Sequence, residues 1–362
     1  MKERISLENK TVLVTGAAGF IGAALAERLL LSGTPMEVIG VDNMNDYYAP
    51  ALKEHRLRKI REVAAGSAAR WTFLRGDIAD RTFVEELFAR HAPSIVVNLA
   101  AQAGVRYSID HPDVYIESNI IGFFRILEAC RHSYDGGRKG VEHLVYASSS
   151  SVYGDAGKVP FRTEDMTDTP VSLYAATKKS NELLAHAYSK LYAIPATGLR
   201  FFTVYGPAGR PDMFYYSATE KLLRGEKLKI FNYGNCQRDF TFVDDTVEGV
   251  VRVMQGAPMR ATGRDGLPVP PAAVYNIGGG RPESLLDFIA ILQEELVRAG
   301  LLPQDYDFEG HRELVPMQPG DVPVTFADSS ALERDYGFRP AIGLREGLRR
   351  FAEWYCRFAR TL

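Results

Sequence analysis

Along the first part of the chain, short apolar runs rich in β-branched residues are separated by longer stretches of helical spacing. The runs are "TVLVT" ending at Thr15, "MEVIGVD" at Asp42, "WTFLRGD" at Asp77, "SIVVNLA" at Ala100, "HLVYAS" at Ser148 and "PATGLRF" near Phe201. Runs this continuously apolar suit strands buried on both faces. The segments between them are long enough for crossover helices. The pattern predicts an α/β protein built on a doubly wound parallel sheet. Right-handed crossovers then put the strand C-termini along one edge, where ligands bind.

After about residue 205 the alternation weakens, and proline and glycine become frequent. Strand-like runs shorten to "KLKIFNY" and "AVYNIG". This predicts a smaller C-terminal α/β lobe. The expected division is 1–204 for a dinucleotide-binding domain and 205–362 mainly for substrate, with some elements returning to the first domain. Residues 255–271 read as an exposed loop and 135–140 as a shorter one.

Composition narrows the classes. The chain has 362 residues and a formal net charge of -2. No basic excess points to nucleic acid or an anionic membrane. Cys130, Cys236 and Cys356 are far apart and odd in number, so reduced packing thiols are expected. The histidines show no ligand spacing, so no structural metal is expected. The charged N-terminus does not read as a signal peptide, and no run approaches the ~18 apolar residues of a membrane span. A cytoplasmic protein is expected.

The first strand runs into "TGAAGFIG", with glycines at 16, 19 and 22, and then into a helical stretch. Such a turn sets backbone N–H groups and a helix N-terminus against a pyrophosphate. Gly16 permits the turn, Gly19 close approach of the phosphate and Gly22 close packing of helix on strand. Phe20 and Ile21 complete the expected contact. Three glycines alone could make only a tight turn, but Asp42 ends the second strand 20 residues after Gly22. Its carboxylate would accept bonds from ribose hydroxyls and repel a 2′-phosphate. Asn43 follows, not an arginine, so NAD is favoured over NADP in a Rossmann-type fold. Asp77 and Ile78 are expected to flank the adenine.

"SSSSVYG" begins at Ser148, and "YAATK" follows with Tyr174 and Lys178 four residues apart. That spacing puts both side chains on one helix face. A phenol near pKa 10 is a poor base at neutral pH. A neighbouring ammonium and a cationic nicotinamide would lower its pKa. The phenol could then take a proton from an alcohol as a hydride leaves the same carbon, with a serine hydroxyl as relay.

Together, the glycine turn, the serine at the fifth strand end and the Tyr-x-x-x-Lys helix resemble the extended short-chain dehydrogenase/reductases. Within them the chain resembles the UDP-glucuronate 4-epimerases over nearly its whole length. The stretches that carry this are "DNMNDYY", "AAQAGVRYS", "ASSSSVYG", "SLYAATKKSNELLAHAYSKLY", "TGLRFFTVYGPAGRPDM", "RDFTFVDD", "YNIGGG" and "MQPGDV". Ala208 departs from the tryptophan expected in "GPWGRPDM" and would open the wall near Arg210. By this resemblance Ser149, Tyr174 and Lys178 are catalytic, and Lys178 also holds the nicotinamide ribose. Ala100, Ala101, Asn119, Ser148 and Phe202 are expected to line the cofactor. Arg238 is expected on the substrate diphosphate and Asp321 near the uridine ribose, with Arg106, Met213 and Gln318 also contacting substrate. The resemblance also implies a homodimer through helices near 115–131 and 172–192.

It further implies a redox-neutral reaction through a 4-keto sugar, with NAD kept in the site. The 4-keto form of UDP-glucuronate is a β-keto acid, which loses CO2 readily when the breaking bond lies parallel to the carbonyl π system. Ser150, Ser151 and Thr203 offer hydroxyls to hold the carboxylate out of that alignment, and Arg210 offers charge. Related decarboxylases and dehydratases carry an acid just after the catalytic hydroxyl; here Ser150 follows Ser149. Two alternatives stay open. One is a 4-epimerase of a neutral UDP-sugar, with UDP-glucose or UDP-N-acetylglucosamine as substrate. The other is a catalytically silent NAD-binding scaffold.

Overall fold

The computed structural model describes residues 2–155, 157–263, 266–317 and 323–360. Its centre is a seven-stranded sheet in which every pairing is parallel. The elements that build it and its surroundings begin with β1 (Thr11–Thr15), α1 (Phe20–Leu30), β2 (Glu37–Asp42), α2 (Pro50–Ala64) and β3 (Arg70–Arg75). Next come α3 (Arg81–His91), β4 (Ile95–Asn98), α4 (Phe123–His132), β5 (His143–Ser149), α5 (Leu173–Tyr192) and β6 (Ala196–Phe201). The chain continues through β7 (Thr203–Tyr205), β8 (Gln237–Phe242), α6 (Val243–Met254), β9 (Ala272–Ile277) and β10 (Pro282–Ser284). Across the sheet the order is β9-β6-β5-β4-β1-β2-β3. The order reverses between β1 and β4. That switch point opens a crevice at the strand C-termini.

Both faces of the sheet are buried, as the continuous apolar runs require. Val12 and Val14 enter one core and Leu13 the other, following the two-residue period of a strand. Each such side chain, fully buried, contributes roughly 1.5–3 kcal/mol of transfer free energy. Helix α1 lies on the first face, and α4 and α5 lie on the second. Ser172 caps α5 by accepting from the Ala175 N–H at 3.1 Å. This cap fixes the entry of the helix that carries Tyr174 and Lys178.

Four local expectations need correction. The strands read to Asp77 and Ala100 stop at Arg75 and Asn98. The Asp77 carboxylate accepts from the Ala79 N–H, and the Ala100 N–H turns to the Thr15 hydroxyl. These side-chain bonds compete with the ladder. The strand read in "KLKIFNY" covers only Leu228–Ile230 and gives way to a 3-10 turn. Residues 255–271 are not simply a loop. Gly256–Pro258 is buried and pairs antiparallel with Lys2–Arg4, which would otherwise leave its backbone bonds unmade. Finally, the helix expected over 115–131 is π-helical at Ile116–Gly122 before α4 begins.

A small sheet, β10-β8-β7, sits beyond the C-terminal edge of the large one. Only Phe202 separates β6 from β7, and its N–H donates to the Ile277 carbonyl at the end of β9. The chain thus passes from one sheet to the other without a loop.

Candidate active site

The crevice holds a cavity of about 1170 Å³. Its walls come from the loops after β1, β2, β4, β5, β6 and β7.

At one end lies the glycine turn. Gly16 adopts φ +70, and a Cβ there would approach the Ala100 nitrogen to 2.8 Å. A Cβ on Gly22 would lie 2.1 Å from the Gly16 carbonyl oxygen. Gly19 precedes α1 with no side-chain cap. The first-turn N–H groups therefore face the cavity end with no side chain to satisfy them. This cradle suits a dinucleotide diphosphate. Phe20, Ile21, Asn43, Asp77, Ile78, Ala100, Ala101, Ser148 and Phe202 line the same cavity.

Asp42 is buried at the end of β2 and also lines it. Its carboxylate is already partly engaged. It accepts from the Ala18 N–H at 3.1 Å and the Met44 N–H at 2.9 Å, and Lys53 Nζ stands 3.7 Å away. The residue thus braces the glycine turn as well as facing a ribose position. Asn43 donates to Asp77 at 2.9 Å, tying the loops after β2 and β3. Lys53 was not singled out by the sequence reading. Burial pushes its ammonium down from the ordinary range, and Asp42 partly opposes this. Its only signal was a lysine on the buried face of α2.

Asn119 does not line the cavity. It is buried, accepts from the Gln102 N–H at 2.8 Å and donates to Thr177 at 3.0 Å. The π-helical turn points it between the β4 loop and α5, where it braces both.

Ser149, Tyr174 and Lys178 come together in the middle of the cavity. The Ser149 hydroxyl accepts from the Ser151 N–H at 3.1 Å and the Ser151 hydroxyl at 2.9 Å. Lys178 Nζ donates to the Ala147 carbonyl at 3.0 Å. Burial pushes this ammonium down to about 8. The Tyr174 ring stands edge-on to Tyr115, with centroids 6.0 Å apart. The chain's own groups do not produce the lowered phenol pKa expected from the sequence. Burial raises it, while the Ser149 hydroxyl and the Arg210 charge pull it back. Lys178 spends a donor on backbone, and the phenol lies in a site that strips water from a phenolate. Beneath the site, Ser148 donates to Glu182 at 2.6 Å, and Glu182 forks with Arg200 at 2.8 Å.

Charged and polar side chains and a methionine line the rest of the cavity, among others. Ser150, Ser151, Thr203, Met213, Arg106, Arg210 and Arg238 all face it. Arg210 forks onto Asp212, Nε to Oδ1 at 2.9 Å and Nη2 to Oδ2 at 2.8 Å. Tyr47 donates to the same carboxylate at 3.3 Å. The arginine holds the Asp212 carboxyl below its usual range, against the effect of burial. Arg106 lies over the Phe231 ring at 5.4 Å. Arg238 donates to the carbonyls of Gln237 and Pro323. Gln318 and Asp321 lie outside the described residues. Tyr47 and Asp212 escaped the sequence reading because they meet only through folding, 165 residues apart.

The arrangement can hold a dinucleotide on backbone and place a phenol, a serine hydroxyl and an ammonium beside a second, polar ligand. A family model described as the NAD dependent epimerase/dehydratase family matches residues 12–278. The chain belongs to that family. NAD is accordingly its cofactor, and the glycine cradle fits it. Among individual proteins, the chain is 44% identical to Protein CapI of Staphylococcus aureus, over 96% of this chain and 98% of that one. It is 42% identical to UDP-glucuronate 4-epimerase 4 of Arabidopsis thaliana, over 95% of this chain and 75% of that one. A crystal structure of UDP-glucuronic acid 4-epimerase from Bacillus cereus, in complex with UDP-glucuronic acid and NAD, superposes with a TM-score of 0.79. It is 31% identical, covering 96% of this chain and 99% of that one. The parallel sheet with its glycine turn is the frame of this epimerase/dehydratase family.

Proposed function

We propose that the protein interconverts UDP-glucuronate and UDP-galacturonate by epimerisation at C4. The observation that carries this reading is the hydroxyl run Ser149, Ser150 and Ser151 in one cavity with Thr203 and Arg210. No acid follows the catalytic hydroxyl, where related decarboxylases place one. The likeness to the Arabidopsis thaliana and Bacillus cereus epimerases supports the same substrate class.

In this reading residues 1–204 hold NAD and residues 205–362 mainly hold the UDP-sugar. Bound NAD would supply a reversible hydride acceptor at the sugar C4. Tyr174 acts as the phenolate: the sugar 4-hydroxyl gives its proton to the Ser149 hydroxyl as Ser149 passes its own proton to Tyr174 Oη, and the reverse transfer returns it, so protons balance over the cycle. The cationic nicotinamide of bound NAD and the Lys178 ammonium would favour that phenolate against the effect of burial. Lys178 supplies positive charge beneath the phenol and a donor toward the nicotinamide ribose. Arg238 holds the diphosphate while the keto sugar turns, and Arg106 and Met213 contact the substrate. Ser150, Ser151 and Thr203 restrain the carboxylate against loss of CO2.

The Arg210–Asp212 fork favours a second reading. An arginine already paired offers less net charge to an acid sugar, which suits a neutral UDP-glucose or UDP-N-acetylglucosamine.

Incubation of the purified protein with UDP-glucuronate, without added NAD, tests these readings. UDP-galacturonate is the expected product. Turnover of neutral UDP-sugars alone would establish the second reading. CO2 with a UDP-4-keto-pentose would make the protein a decarboxylase. Bound NAD with no turnover would make it a silent scaffold.

We also propose a homodimer. An apolar groove of about 450 Å³ lies between the 116–122 turn and α5, lined by Ile116, Ile120, Leu173, Leu183 and Leu184. Leu183 is 59% exposed in the single chain. A monomer in sedimentation at micromolar concentration would exclude this.

A further inference from the structure

Arg56 lies within α2 and is 1% exposed. Among the described residues no carboxylate pairs with it. A buried cation without a counter-charge is tolerated when most of its donors are satisfied. Here four of the five N–H donors are bonded. Nε donates to the Ala208 carbonyl at 2.9 Å, and Nη2 to the Gly209 carbonyl at 3.0 Å. Nη1 donates to the Ala18 carbonyl at 2.9 Å and to the Tyr48 hydroxyl at 2.6 Å.

Those acceptors belong to three separate loops. Ala18 is in the glycine turn. Tyr48 is in the loop after β2, next to Tyr47, which donates to Asp212. Ala208 and Gly209 are in the loop after β7, which runs directly into Arg210 and Asp212. Ala208 adopts φ +54, a left-handed conformation that a residue with a Cβ resists. The Arg56 fork holds its carbonyl there. Arg56 itself does not line the cavity. It stands behind the turn, adding positive charge at the back of a helix N-terminus suited to a diphosphate.

We propose that Arg56 is a positioning residue that couples the cofactor turn to the loop carrying Arg210. One planar group fixes both, so ordering the turn on NAD also orders the substrate side. The inference rests on the reading that Arg210 faces the substrate. Lysine cannot replace the fork, because a point charge on a flexible stem cannot direct bonds to four acceptors on three loops.

The test uses the purified holoenzyme carrying Arg56→Lys. NAD content and NAD release are measured directly, and KM and kcat are measured with UDP-glucuronate. Losing one charge-assisted bond corresponds to about a tenfold change in affinity. NAD release should be about tenfold faster and KM about tenfold higher, with kcat of NAD-loaded sites changed far less. Hydrogen exchange should quicken in 43–49 and 206–213 together, with β1 unchanged. Normal NAD release and normal KM would make Arg56 a packing residue only. A change on one side alone would overturn the coupling. Should Arg56→Lys fail to fold, Tyr48→Phe removes one acceptor and leaves the guanidinium in place. It should quicken NAD release and raise KM in the same sense by severalfold, and no change in either would overturn the proposal. Failure of the substrate reading looks different. The wild type would then not turn over UDP-glucuronate, while the NAD and exchange measurements would still report on Arg56.

Discussion

The two ends of the cavity are built from different materials. The cofactor end is backbone: Gly16, Gly19 and Gly22 remove side chains so that N–H groups and a helix N-terminus form the surface. The end proposed for substrate is side chains: Arg210, Asp212 and Tyr47 on loops and Arg238 on β8, which meet only in the folded chain. A backbone site is fixed by local conformation and tolerates little change at its glycines. A side-chain site is adjustable, and its charge balance depends on pairs such as Arg210 with Asp212. Retention of NAD should therefore respond to changes at the first end, and sugar selectivity to changes at the second.

The largest effect is expected between the two ends. Tyr174→Phe removes the only oxygen of that side chain. Epimerisation should fall by about a thousandfold or more, within the range for loss of a general base. NAD content should stay near wild type, because the cradle is untouched. Near-normal turnover would require another base, and loss of NAD would show that the two ends are less separate than their construction implies.

Gly22→Ala probes the backbone end. The added Cβ would stand 2.1 Å from the Gly16 carbonyl oxygen, so the turn must move. Overpacking of this kind costs about 1–3 kcal/mol. The protein should purify with little NAD and melt earlier. Full NAD content would mean that the turn relaxes freely.

The same difference explains what was legible in the sequence. The glycine spacing, the apolar strand runs and the four-residue step from Tyr174 to Lys178 are local patterns. Each forecasts its geometry, because strand and helix periods fix which side chains align. The sheet could be read the same way, down to Asp42 at the end of β2. The bracing bonds of Asn119 were not legible, because a π turn shifts the register of its helix. The desolvation of the phenol was not legible either, because burial depends on the whole fold. Arg56 and Lys53 were invisible for a related reason. A buried charge looks like any surface lysine or arginine until its acceptors are known.

Arg210→Gln probes the side-chain end. It keeps a donor and removes the charge. A charge-assisted bond is worth roughly 1.5–3 kcal/mol. KM for UDP-glucuronate should rise about tenfold or more, with NAD content unchanged and KM for UDP-glucose changed little. An equal rise for both sugars would mean that the arginine shapes the loop and does not read the carboxylate.

The smallest effect concerns a branch in the reaction. In the proposed mechanism the keto acid must be held so that its C5 carboxylate is out of line with the carbonyl π system. Ser150, Ser151 and Thr203 line the cavity at that end. Ser151 also donates its hydroxyl to Ser149, so it links the restraint to the relay. Replacing all three by alanine keeps the phenol, the ammonium and the cradle. A restraint weakened by about 1.4 kcal/mol raises the competing branch roughly tenfold. The triple variant should thus release more CO2 and UDP-4-keto-pentose per UDP-galacturonate formed. The ratio is the informative quantity, because weaker substrate binding scales both products alike. The single change Ser150→Ala separates restraint from relay, since Ser150 makes no bond to Ser149 among the described contacts. It should raise the ratio with kcat nearly unchanged. An unchanged ratio in the triple variant would leave the carboxylate to Arg106 and Arg210. Selectivity against decarboxylation would then rest on charge and not on hydroxyl geometry.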